Sequence, residues 1–134
     1  MMRILHIVSS IESEAAGPSV SVPRLAEAQA RRGATVSIAT VGDPRRPHPF
    51  RTTVPHCLYA QTAAGIPFVS AFKLSRAMHA MLRVAPPPFD VVHSHGLWLA
   101  PNVYPAIAAK NGACWVVSPR GMLGAAALKF SALK

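Results

Sequence analysis

The amino-acid sequence predicts an α/β domain built on a doubly wound, all-parallel sheet with the strand order 3-2-1-4-5. Three observations lead there. Short apolar runs bounded by polar or small residues recur five times, as in strands buried on both faces. Stretches with helical spacing stand between several of them. The chain has 134 residues, enough for one such domain and too few for a second of similar size. In this order strands 1 and 4 are neighbours and their following helices lie on opposite faces. A crevice therefore opens at the carboxyl ends of the strands, between loops 9–21 and 94–99 and bordered by loop 119–123.

Residues 3–9 form the first strand. A loop of small residues leads to a helix that Ser19 or Ser21 can cap. A cap at Ser21 places Pro23 in the first turn, where its missing N–H costs nothing. Leu25 and Ala26 carry the helix to Arg31-Arg32-Gly33, with basic residues at its negative end and a glycine stop. Residues 35–41 are β-rich and form the second strand, parallel to the first by right-handed crossover. Residues 42–53 are an exposed loop in which Asp43 is a turn residue. Residues 54–60 are a weaker strand near the sheet edge, interrupted by Pro55. The spacing of Ala71, Leu74, Met78, Met81 and Ala85 predicts one helix from Phe68 to about Ala85, with Lys73, Arg76, His79 and Arg83 on its solvated face. Pro86-Pro87-Pro88 ends it. Residues 90–94 are the fourth strand, 99–110 a helix, and 114–118 the fifth strand. A last helix starts near Leu123 and runs on to Lys134.

Fourteen Lys and Arg against five Asp and Glu give a net charge of +9, which favours anionic partners: nucleic acid, an acidic membrane surface or phosphorylated substrates. The basic residues are scattered singly and in pairs and no nucleic-acid motif is present, so nucleic acid is not the expected partner. Cys57 and Cys114 fall in predicted strands as buried small hydrophobes, with no disulfide expected. The N-terminal apolar run is too short for a secretion signal and no 18 apolar residues run together, so a cytoplasmic protein is expected.

Three segments at the crevice can carry chemistry. Gly17-Pro18-Ser19 precedes a helix and either brings backbone N–H groups to a ligand or simply forms a turn. The dinucleotide fingerprint G-x-G-x-x-G is missing, which disfavours an oxidoreductase. His93-Ser94-His95-Gly96-Leu97-Trp98 places histidine, glycine and a large aromatic at a strand's carboxyl end. His93 and His95 point to one side, but no third ligand stands at sensible spacing and no metal is expected. His93 fits a hydrogen-bonded core position. His95, at the tip, can donate to a sugar hydroxyl or a developing charge. Trp98 either stacks on a ligand or packs under the loop. Ser118-Pro119-Arg120-Gly121 offers a charged fork beside a flexible turn, for a phosphate or carboxylate or for a surface salt bridge.

Met2-Arg3-Ile4-Leu5-His6-Ile7, Gly17-Pro18-Ser19 through Leu25-Ala26 to Arg32-Gly33, Asp90 to Trp98 and Ser118-Pro119-Arg120-Gly121-Met122-Leu123 together resemble the N-terminal domain of the family 4 retaining glycosyltransferases. These have the GT-B fold of two facing Rossmann-like domains. The resemblance covers nearly the whole chain, and its last two segments are the specific ones. It implies transfer of a sugar from a nucleotide-sugar donor to a cell-envelope or polysaccharide acceptor, with retained configuration and neither a cofactor nor an obligatory metal. By position, Gly17 falls in the glycine-rich loop, His95 matches a histidine that contacts the transferred sugar, and Arg120 and Gly121 form part of the acceptor-side wall. Gly96, Trp98, Pro18 and Ser19 join them as expected substrate contacts.

Two departures stand out. The family loop usually has paired glycines, whereas Ala16-Gly17 leaves one. The family's donor-binding C-terminal domain is missing from the 134 residues, so the expectation is a partial N-terminal domain that does not catalyse transfer alone. Its sheet is expected to leave an open edge and an exposed apolar helix face, with marginal stability or self-association. The alternative expectation is a non-catalytic remnant, or an acceptor-binding module that pairs with a separate donor-binding chain. Peripheral contact with the inner face of an anionic membrane fits the positive charge.

Overall fold

A computed structural model of the chain describes residues 1–11, 17–46 and 51–131. Five strands, β1 (Arg3–Val8), β2 (Thr35–Gly42), β3 (His56–Ala60), β4 (Val91–His95) and β5 (Cys114–Ser118), form a single parallel sheet. Its order is β3-β2-β1-β4-β5, as the sequence predicts. The helices are α1 (Gly17–Arg31), α2 (Pro67–Ser70), α3 (Arg76–Leu82), α4 (Ala100–Val103), α5 (Pro105–Lys110) and α6 (Ala125–Ser131).

Alternation along the central strands divides the core in two. Leu5 and Ile7 of β1 join Ala39, Val41 and Val92 under Met78 and Leu82 of α3 and Ala108 of α5. Ile4 joins Val36 and Ile38 beneath Ala26 of α1, and Val8 packs with Ile11 and Val22. His6 has the same parity as Ile4 and Val8, so it faces α1. The β1–β4 register pairs His6 with His93 and Val8 with His95, which brings three imidazoles to the α1 side.

Several elements differ from expectation, each for a local reason. The first helix begins at Gly17, so Ser19 and Ser21 lie inside it. Pro23 is then an interior residue rather than a first-turn one, and it forgoes the bond its N–H would have made to the carbonyl of Ser19. The single helix expected from Phe68 to Ala85 is broken. Ser75 is extended, its hydroxyl accepts from the backbone N–H of Met78 at 3.3 Å and donates to the carbonyl of Ala60 at 2.9 Å, and it starts α3 afresh. A serine that can cap competes with one that continues a helix. The helix expected over 99–110 divides at Tyr104, because Pro105 has no N–H to continue it.

The third strand begins after Pro55, whose carbonyl accepts from the N–H of Ile38 at 2.9 Å, and it occupies one sheet edge as expected. Cys57 and Cys114 are exposed free thiols rather than buried ones, because β3 and β5 are the two edge strands and lack a covering neighbour. The open edge expected of the sheet is β5, where Trp115, Val116 and Val117 are exposed, with Leu123 and Leu128 exposed nearby in sequence. The last helix starts at Ala125, and its expected continuation to Lys134 lies outside the described residues, as does Ala16. Among the described residues no helix is long and apolar enough to cross a membrane.

Candidate functional site

The carboxyl end of β4 turns sharply at Gly96. Its φ of +102° is one that side-chain-bearing residues rarely adopt, and its N–H bonds the carbonyl of Ser118 on β5 at 2.8 Å. A β-carbon at Gly96 would lie 3.2 Å from both Asn102 Nδ2 and Met122 Cε. Asn102 Nδ2 donates to the carbonyl of Leu97 at 3.0 Å, and the N–H of Leu97 lies 3.0 Å from Met122 Sδ. The tip that carries His95 is thus pinned by Asn102 of α4 on one side and by Met122 of the loop after β5 on the other.

Arg120 and Gly121 follow β5 with φ of +53° and +79°, and this turn sends the guanidinium back across the sheet edge. Arg120 Nη2 and Nε lie 2.8 and 3.2 Å from His95 Nδ1, and Nη1 donates to Ser21 Oγ on α1 at 3.2 Å. One side chain therefore ties together the ends of β4 and β5 and the first turns of α1. No carboxylate pairs with Arg120 among the described residues, whose ion pairs are Arg3 with Asp90 and Arg46 with Asp43.

Beside Arg120 the three imidazoles lie close together, with His93 and His95 ring centres 4.1 Å apart and tilted, and His6 stacked on His95 at 5.1 Å. His6 Nδ1 is 2.8 Å from His95 Nε2, and His6 Nε2 is 2.7 Å from Gln29 Oε1 on α1. His93 Nε2 bonds Ser118 Oγ at 2.7 Å, the hydrogen-bonded position expected for it. Burial is the chief reason that all three stay neutral near pH 7. It lowers His95 to about 2 and His93 to about 4, with the neighbouring imidazoles and Arg120 adding to the shift. His6 is lowered by burial and by Arg120 against the opposing bond to Gln29.

The expectation that no third metal-ligating residue stands near His93 and His95 is corrected by the fold. His6 supplies it, and one nitrogen from each ring falls within 4.8 Å of the others. Spacing along the chain hides this, because strand pairing joins residues 87 apart. The bonds of His95 nevertheless oppose a metal. Guanidinium only donates, so His95 Nδ1 is an acceptor, and a cation on Nε2 would require the ring to have lost both protons.

The other expected contacts are placed unevenly. Gly17 is exposed and open at the start of α1, beside half-buried Pro18. Ser19 turns inward, its Oγ buried without a hydrogen-bond partner among the described residues. Trp98 has a φ of +69° and is 62% exposed, so it does not pack under the loop. Asp43 is a turn residue, accepting from the N–H of Arg45 at 3.0 Å. His6, Gln29 and Ser21 are the site residues that sequence reasoning missed. Aligning the neighbouring strands 1 and 4 pairs His6 with His93 and would have found the first of them.

A doubly wound parallel sheet in the order β3-β2-β1-β4-β5, with polar groups gathered at its carboxyl edge between β1 and β4, defines a Rossmann-like domain. More particularly, the chain matches the family model of the glycosyl transferase 4-like domain over residues 16–134 and belongs to that family. Neither a curated protein nor a solved structure matches it.

Proposed function

We propose that the chain is the acceptor-side domain of a retaining glycosyltransferase, moving a sugar from a nucleotide-sugar to a cell-envelope or polysaccharide acceptor. The observation that carries this is Arg120, without a carboxylate partner among the described residues, held against buried His95 at the β1–β4 crevice of a glycosyltransferase 4-like domain. Arg120 offers a fixed positive charge to an anionic group of the donor or acceptor, and His95 Nδ1 accepts a hydrogen bond from a sugar hydroxyl. Gly96 and Gly121 let the backbone turn close to the ligand, Gly17 and Pro18 border it from the start of α1, and exposed Trp98 stacks on a sugar ring. The positive groups of the crevice are side chains, so no metal or cofactor is assigned. A facing domain, in the same polypeptide or a separate chain, supplies the rest of the donor site.

A cavity of about 580 Å³ at the ends of β2 and β3 carries Arg45 and Arg46. With the +9 net charge it suits an acceptor bearing phosphate or carboxylate, met at the inner face of an anionic membrane. A second reading is a non-catalytic acceptor-binding module that needs a separate partner chain, and the exposed apolar strand β5 favours it.

Gene deletion in the source cell tests both. The transferase reading expects one glycan to lose a sugar, with rescue by the wild-type gene and not by His95→Ala. Unchanged glycans would contradict it, and rescue by His95→Ala would leave only the binding module.

A further inference from the structure

The three imidazoles admit two chemical readings, a metal centre or a hydrogen-bonded chain, and the donors at its ends decide between them. At one end stands Arg120, which can only donate. Its Nη2, 2.8 Å from His95 Nδ1, fixes that nitrogen as an acceptor. Neutral His95 then carries its proton on Nε2 and donates it to His6 Nδ1, 2.8 Å away. His6 in turn carries its proton on Nε2 and donates to Gln29 Oε1 at 2.7 Å. Every donor meets an acceptor, and the direction admits no reversal while Arg120 remains charged.

We propose that Arg120, His95, His6 and Gln29 form a one-way hydrogen-bonded relay that locks His95 in its Nε2–H tautomer, so that Nδ1 faces the crevice as an acceptor. His6 and Gln29 are positioning residues that act on the ligand only through His95. Arg120 is the removable member. When a phosphate or carboxylate of a ligand engages the guanidinium, Nδ1 is released with its lone pair already aimed outward, ready for a sugar hydroxyl. An anion and a hydroxyl on one ligand are thereby sensed together, and no proton leaves the relay. The purpose of the relay rests on the glycosyltransferase reading, whereas the tautomer is a property of the unliganded chain.

The test is the tautomer itself, read from long-range ¹H–¹⁵N correlation spectra of the ¹⁵N-labelled chain near pH 7. The wild-type spectrum is expected to show His95 and His6 each with an unprotonated Nδ1 and a protonated Nε2. Gln29→Glu keeps an acceptor and is expected to keep both tautomers. Arg120→Met removes the donor that fixes Nδ1 and keeps His95, His6 and Gln29 in place, and is expected to average the His95 nitrogen shifts between tautomers while the backbone amide spectrum stays dispersed. A protonated Nδ1 on wild-type His95 overturns the proposal with no variant needed. So does a His95 tautomer unchanged in folded Arg120→Met, or a zinc titration that shifts the imidazoles of His6, His93 and His95 together. None of these outcomes depends on sugar transfer, so the relay and the proposed function fail separately.

Discussion

Gly96 shows how a single residue sets the aim of the site. Its φ of +102° costs an alanine about 1–2 kcal/mol in strain, and the added carbon would press on Asn102 and Met122 at 3.2 Å. Gly33 also has a positive φ, of +90°, but a β-carbon added there would meet nothing within 4 Å. Gly96→Ala is therefore expected to lose about 2 kcal/mol or more of stability, and Gly33→Ala about half as much. Urea unfolding of the two variants makes the comparison, and equal losses would mean that the 96–98 turn is not held as tightly as its contacts indicate. The histidine and arginine at this tip were legible from sequence because a motif at a strand's carboxyl end points to a ligand edge. Gln29 and Ser21 were not, because nothing local in the sequence of α1 marks them for the site, and only the packed helix brings them to His6 and Arg120.

Among the elements, the strands were legible and the helices less so. A short apolar, β-branched run needs only local sequence to be recognised, and β5 was placed to the residue although it lies exposed at the sheet edge. Helical spacing persisted across breaks that side-chain hydrogen bonding and proline impose. Met78 and Leu82 are buried as the spacing requires, yet the helix over them starts at Ser75 and not at Phe68. Ser75 is fully buried, and its hydroxyl both caps α3 and anchors it to the end of β3. Ser75→Ala removes both bonds and leaves the Ala60 carbonyl without that donor, so it is expected to cost about 1–3 kcal/mol. Measured by chemical denaturation, a loss below about 0.5 kcal/mol would show that packing alone fixes α3.

For the whole molecule, the buried imidazoles couple stability to pH. The folded values of His95, His93 and His6 lie below the ordinary histidine value. The unfolded chain therefore binds more protons in acid, and the stabilisation present above about pH 6.5 is lost as pH falls below it. His95 alone accounts for about 2 kcal/mol between about pH 7 and pH 5. Asp90, held at about 2 by Arg3, adds a further loss only below its ordinary value of 3.8. A midpoint of urea unfolding that stays flat from about pH 7 to pH 5 would contradict the neutral cluster. The fold was legible at this scale because strand order follows from the alternation of elements. The cluster was not, because it depends on which residues of β1 and β4 share a register.

Under the proposed function, a sugar-nucleotide or glycan ligand binds at the crevice formed by β4, β5 and the start of α1. Backbone amide shift mapping of the ¹⁵N-labelled chain with UDP-glucose, GDP-mannose and methyl glycosides tests it most directly. Shifts gathered at Gly17, His95, Gly96, Arg120 and Gly121, and lost in Arg120→Lys, are the predicted result, because an ammonium cannot reproduce the guanidinium fork. Shifts confined to the cavity beside Arg45 and Arg46, or none with any of these ligands, would contradict the placement of the site.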